Sequence, residues 1–152
     1  ANMATLAVRA GRAVGVEVVL VPVASAAALR EAVQSRRGID AVWLAPDASI
    51  LTRETLSFLL LHCFENRIAI FCFLDDLTRA GALASIAPDY RDIGARTGAL
   101  LNEILARPRE GRLPLPAPTY SGGRLTINLR TASQLGVSVS AFARGSAAQL
   151  FQ

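Results

Sequence analysis

The sequence contains no lysine: all 16 basic side chains are arginine, set against 12 acids for a formal charge of +4. Arginine and lysine overlap as surface cations, so exclusion of one, together with abundant Ala and Gly, reads as genome-level composition bias. The absence removes the phosphate-binding motif GxxxxGK[ST], and neither GxGxxG after a strand nor GxSxG is present. Histidine is also scarce, with His62 alone, and cysteine is limited to Cys63 and Cys72. So few ligands do not make a structural metal site, and neither cysteine belongs to a CxxC pair. Adjacent helical residues such as His62 and Cys63 point about 100° apart, which argues against a Cys–His dyad. Both cysteines are expected as buried small hydrophobes, and the sequence leaves a disulfide between them open. No apolar run reaches the roughly 18 residues of a membrane span. The N-terminal stretch "ANMATLAVRAGRAVG" lacks a basic start, a long h-region and a cleavage site, which is uninformative for a processed chain. Although the pI is near 10, the arginines are scattered from Arg9 to Arg144, with only "SRRG" and "ARPREGR" as groupings. No nucleic-acid partner is expected.

What is present is apolar and periodic. At 152 residues, 52% hydrophobic and 18% charged, the chain is sized and composed for one folded domain with a sizeable core. Met3, Leu6, Ala7, Ala10 and Val14 have helical spacing up to Gly15. "VEVVLVPV" reads as a strand covered on both faces. Ser25 suits the N-cap of a helix to about Gln34. "IDAVWLA" is a second buried strand, with Trp43 expected in the core. A helix follows over "SILTRETLSFLLLHCFENR", with Leu56, Leu59, Leu60 and Cys63 as its stripe. "IAIFCFL" and "GALASIAPD" are further strands, and "YRDIGARTGALLNEILARP" is a long helix. Residues 108–123, with four prolines and three glycines, are too broken for a core element. "RLTINL" is the last strand and "RTASQLG" a short helix, while 140–152 shows no period. Alternating strands and helices predict an α/β fold: a Rossmann-like parallel sheet with helices on both faces.

Ligands of open α/β sheets bind beyond the carboxyl ends of the strands. Three such loops carry carboxylates here: Pro46–Asp47–Ala48–Ser49, Asp75–Asp76, and Ala87–Pro88–Asp89–Tyr90. An anionic rim on a basic protein suits a ligand bearing an ammonium group. Each acid also has a structural alternative. Asp47 or Ser49 caps the following helix, Asp89 caps the next, and Asp75 with Asp76 forms a solvated turn. Paired aspartates are also found in phosphorylated receiver domains, but those place them after the first strand and add a lysine.

Four segments in order carry a resemblance: "GVEVVLVPVASAAALREAV", "IDAVWLAPDASI", "IAIFCFLDDLTRAGALASIAPDYRDIGARTG" and "LTINLRTASQLGVSV". Over roughly residues 10 to 139 they resemble the C-terminal half of bacterial ABC-transporter substrate-binding proteins of the aromatic amino acid-binding, tryptophan type. The closing signature is matched by Leu125, Ile127, Asn128, Leu129, Thr131, Ala132, Leu135 and Gly136. The resemblance implies one lobe of a type I periplasmic binding protein, residues 1–139, followed by a tail, 140–152. The first strand and the N-terminal lobe are expected to be absent, and the isolated lobe to dimerise or swap elements. It further implies a non-enzymatic solute-binding component of an ABC importer, periplasmic or membrane-anchored outside the cytoplasm, working with a transporter permease. The implied ligand is small and amino-acid-like, bound by Asp47 with Ser49, Asp75 and Ser85 as further candidates. No catalytic residue, metal or cofactor is expected. The alternative is a ligand-sensing domain of a signalling or transcription regulator on the same scaffold; an enzyme of unknown type is a third reading.

Overall fold

The expected alternation is realised as seven helices and five strands among residues 3–106 and 122–152, which the computed structural model describes. Of the proline-rich stretch, residues 108–121 lie outside the described residues, and its last glycine, Gly123, begins a strand. The chain divides into two compact units, residues 1–38 with 47–59 and residues 39–46 with 60–152.

In the first unit, α1 (Met3–Ala13) ends where Gly15 adopts φ 73° and the Val16 amide returns to the Gly11 carbonyl at 2.8 Å. A side chain at Gly11 has no room: its Cβ would lie 2.7 Å from the Val16 carbonyl oxygen and 2.5 Å from Val18 Cγ2. Gly11→Ala is therefore expected to lower the unfolding free energy by about 1–3 kcal/mol, the usual cost of overpacking, measured by urea denaturation. The β-branched run after α1 corrects the expectation of a first, buried strand. Residues 16–23 join no ladder, and Val16, Val19 and Leu20 are exposed. Strand propensity describes how side chains fit a pleated surface; it does not supply a neighbouring strand. Helix α2 (Ala26–Ser35) begins as expected, with the Ser25 hydroxyl accepting from the Ala28 amide at 3.1 Å. Arg30 stacks over Phe58, 5.5 Å from the ring centre. Phe58 belongs to α3 (Arg53–Glu65), whose residues from Leu60 onward belong to the second unit; Thr55, Leu59 and Cys63 are its buried residues, with Leu56 and Leu60 partly buried.

The second unit holds a five-stranded sheet in the order β1-β2-β3-β4-β5: Ala41–Trp43, Ala69–Cys72, Ala84–Pro88, Gly123–Asn128 and Gln149–Phe151. Strands β1 to β3 are parallel, as expected. The sheet is only mostly parallel, however, because β4 runs antiparallel to β3 and β5 parallel to β4. Residues 140–152, in which no period is legible, form α7 (Ala141–Ser146) and β5. Trp43 corrects the expectation of a core residue. It ends a three-residue edge strand that has a neighbour on one side only among the described residues, and 53% of it is exposed.

Register places Cys72, Ser85 and Thr126 side by side on one face, with Asn128 two residues further along β4. Helix α4 (Asp75–Ala80) lies on that face, its buried Thr78 beside the Cys72 sulfur at 3.7 Å. On the other face, α6 (Leu129–Leu135) sets Ala132 against Ala69 and Leu83, with Leu135 and Val139 alongside. The closing signature therefore has a structural meaning. Asn128 caps α6, accepting from the Thr131 amide at 2.9 Å, and donates to the Thr78 carbonyl at 2.8 Å. The Thr131 hydroxyl donates to the Gly81 carbonyl at 3.2 Å. Gly136 closes the helix in the left-handed conformation, φ 73°, where a Cβ is disfavoured. Helix α5 (Tyr90–Ala106) buries none of its residues.

Candidate functional site

Hydrogen bonding sorts the strand-end carboxylates into two kinds. Asp89 is a helix cap, as one reading of the sequence expects: its Oδ1 accepts from the amides of Arg91 at 3.0 Å and Asp92 at 3.1 Å. Asp92 in turn pairs with Arg96 one helical turn on, at 2.7 Å. Asp76 lies 3.9 Å from Arg79, an exposed pair of small energetic consequence. These acids have structural work to do.

Asp47 differs. Its Oδ1 accepts from both the amide of Ser49 (2.9 Å) and the Ser49 hydroxyl (2.6 Å), and its carbonyl accepts from the Leu51 amide at 2.9 Å. This closed turn delays the start of α3 to Arg53. The cap is consequently Thr52, whose hydroxyl accepts from the Thr55 amide at 3.3 Å. The alternative in which Asp47 or Ser49 caps that helix is corrected, because a cap must reach the second or third helical amide. The two bonds from Ser49, hydroxyl first, hold the Asp47 carboxyl below the usual carboxylate range. It is therefore ionised at neutral pH, and it stands in solvent. Ser49 serves as its holder.

Asp75, expected in a loop, is the first residue of α4. Its Oδ1 accepts from the Ser85 hydroxyl at 2.9 Å and the Thr126 hydroxyl at 2.8 Å. Ser85 is 1% exposed and Thr126 0%, and they face each other in the β3–β4 register. The sequence candidates thus fall into two separate pairs, Asp47 with Ser49 and Asp75 with Ser85. Sequence reasoning missed Thr126, for which the only signal is a polar residue between the apolar Leu125 and Ile127.

Asp47 and Asp75 share a pattern. In each, one carboxylate oxygen is occupied by two donors. Among the described residues no donor reaches the other oxygen, and neither acid has an ion-pair partner. A carboxylate fixed by one oxygen and open at the other suits a cationic donor.

The remaining titratable groups offer less. Cys63 and Cys72 are free and buried, as expected of small hydrophobes. Burial pushes the Cys63 thiol up to about 11 from its ordinary 9.0. A thiol kept neutral by the fold stabilises the native state fully below about pH 9 and loses that contribution as pH rises toward 11. The fall is about 1.4 kcal/mol per pH unit. Urea midpoints at pH 8 and pH 10 should show this decline, and Cys63→Ala should diminish it. Among the described residues no group of three His, Cys, Asp or Glu side chains is arranged to hold a metal ion. Among them also, no helix is long and apolar enough to cross a membrane.

Comparison with known proteins follows the same direction. The family described as ABC transporter substrate binding protein matches residues 3–149. No match is found among curated proteins. Among solved structures, the ABC domain in complex with L-Trp from Streptococcus pneumoniae is 23% identical, with a TM-score of 0.64 over 92% of this chain. A conserved domain protein from Vibrio cholerae is 20% identical, with a TM-score of 0.65 over 96%. A ligand-free, open substrate-binding protein with adhesive properties from Clostridium difficile is 18% identical, with a TM-score of 0.68 over 95%. The present chain spans 46%, 48% and 47% of their respective lengths.

Proposed function

The chain belongs to the ABC transporter substrate binding protein family, and from that premise we propose that it takes part in binding a small amino-acid-like solute for import, with Asp47 holding the ligand's ammonium group. The observation that carries this reading is the state of the Asp47 carboxylate. It is ionised, locked through one oxygen by Ser49, and without a protein donor at the other among the described residues. It follows β1 by four residues, where the strand-end rule for open α/β sheets places ligand contacts. The L-Trp complex of the streptococcal neighbour supports an amino acid as the ligand class. In this reading the protein acts outside the cytoplasm and delivers its ligand to a transporter permease; it binds and does no chemistry.

A thermal-shift screen of the intact protein against amino acids, small peptides, sugars and nucleotides tests the proposal. A ligand that binds only the folded state at a hundred times its Kd adds about 2.7 kcal/mol to stability. The expected result is a raised Tm with aromatic or branched amino acids. A shift only with sugars or nucleotides contradicts the proposal.

A further inference from the structure

Within the first unit, residues 17–23 form an extended run whose backbone is open. None of their amides or carbonyls is hydrogen-bonded among the described residues, and Pro22 alone has no amide to donate. Side chains alternate along an extended chain. Val18 and Leu20 line the side next to α1, so Val19 and Val21 fall on the other, where both are exposed. Leu20 and the α1 residues Thr5, Val8, Arg9 and Arg12 line a groove of about 400 Å³, open to solvent. A second hollow, sharing Val8 and Arg12, reaches Val16, Glu17 and Val18. Arg9 and Arg12 lie three residues apart on one helical face, and neither has an ion-pair partner among the described residues. Glu17 is the one acid lining either hollow, so positive charge is in excess there.

We propose that the run 17–23 is a docking edge for an extended acidic segment of a partner protein, which adds to it as a strand and sets carboxylates against Arg9 and Arg12. Three features have to be met together: an open backbone, an apolar groove and two unpaired guanidiniums. A small amphiphilic acid meets the last two and leaves the backbone to water. A helix does the same, because its own amides are bonded internally. A second copy of this face sets Arg9 and Arg12 against their own counterparts, like charge on like. An extended acidic chain meets all three. Its main chain supplies affinity by strand addition, alternate side chains enter the groove, and the guanidiniums select carboxylates. This surface does not depend on the role given to Asp47, and its failure leaves the proposed function standing.

The test uses the intact protein at about 0.15 M ionic strength and three short labelled peptides. One alternates valine with glutamate, one alternates valine with lysine, and the third is the glutamate peptide N-methylated at every residue. Fluorescence anisotropy is expected to show saturable binding of the glutamate peptide and at least about tenfold weaker binding of the other two. Arg9→Ala combined with Arg12→Ala, both at exposed positions, should weaken the glutamate peptide about tenfold as well. The N-methylated peptide keeps the charges and loses every main-chain donor, so the backbone contribution is read without altering the protein. Equal binding of the lysine or the N-methylated peptide, an affinity unmoved by the double substitution, or no binding of the glutamate peptide overturns the proposal. So does self-association in sedimentation equilibrium that Leu20→Asp abolishes, which would give the edge to a second copy.

Discussion

Replacing Asn128 by alanine is expected to remove about 2–4 kcal/mol of unfolding free energy. Two losses combine. The Asn128 carbonyl oxygen caps α6 through the Thr131 amide, and removal of such a cap costs about 1 kcal/mol. Its amide also satisfies the Thr78 carbonyl on α4, and leaving a buried acceptor unpaired costs about 1–3 kcal/mol. Asn128 is 6% exposed, so water has little access to replace either bond. The effect should appear as a lower urea midpoint with an unchanged m-value. Asn128→Asp keeps the capping oxygen but loses the donor, and is expected to remain strongly destabilised. A loss below about 1 kcal/mol in Asn128→Ala would show that the cross-link between α4 and α6 is not cooperative.

Asp47→Asn should do the opposite, reducing binding and sparing the fold. The turn needs an oxygen at position 47 to accept the two bonds from Ser49, and asparagine supplies one. The helix start depends on Thr52, so α3 keeps its cap. What disappears is the charge. A charge-assisted hydrogen bond contributes about 1.5–3 kcal/mol, so affinity for an amino acid should fall about ten- to hundredfold while the urea midpoint stays put. Thr52→Ala is the complementary variant: a loss of about 1 kcal/mol in stability with affinity retained. If Asp47→Asn lowers the urea midpoint and leaves affinity alone, the acid belongs to the turn.

The contrast between these two residues shows what the sequence discloses and what it withholds. Asn128 sits in a signature several of whose members have local work: a cap, a buried methyl against the sheet, a left-handed glycine. Short-range chemistry of that kind is written in adjacent letters, as are the Ser25 and Asp89 caps. The segment "DASILTRET" is harder. It offers Asp47 or Ser49 as the cap, and the closed turn after Asp47 passes that role to Thr52, a residue the sequence reading does not single out. Helix α4 has six residues, too few for a period, so its opening "DD" looks like a loop. Thr126 depends on a partner 51 positions away, which no periodicity reveals. Residues 16–23 have the composition of a buried strand without the ladder that makes one. The antiparallel turn of β4 is likewise a matter of long-range pairing. Local preference located most elements; pairing and side-chain convergence needed coordinates.

Whether the loop holding Asp47 meets an amino-acid ligand is decided by an amide-resolved NMR titration. The Ser49 amide donates to Asp47 Oδ1 at 2.9 Å and so reports any change in that carboxylate. On adding the amino acid that raises Tm most, the amides of Asp47, Ala48, Ser49 and Ile50 should shift and saturate with the affinity found by calorimetry. Saturable shifts confined to other parts of the protein, with this loop unmoved, would show that the ligand binds away from Asp47.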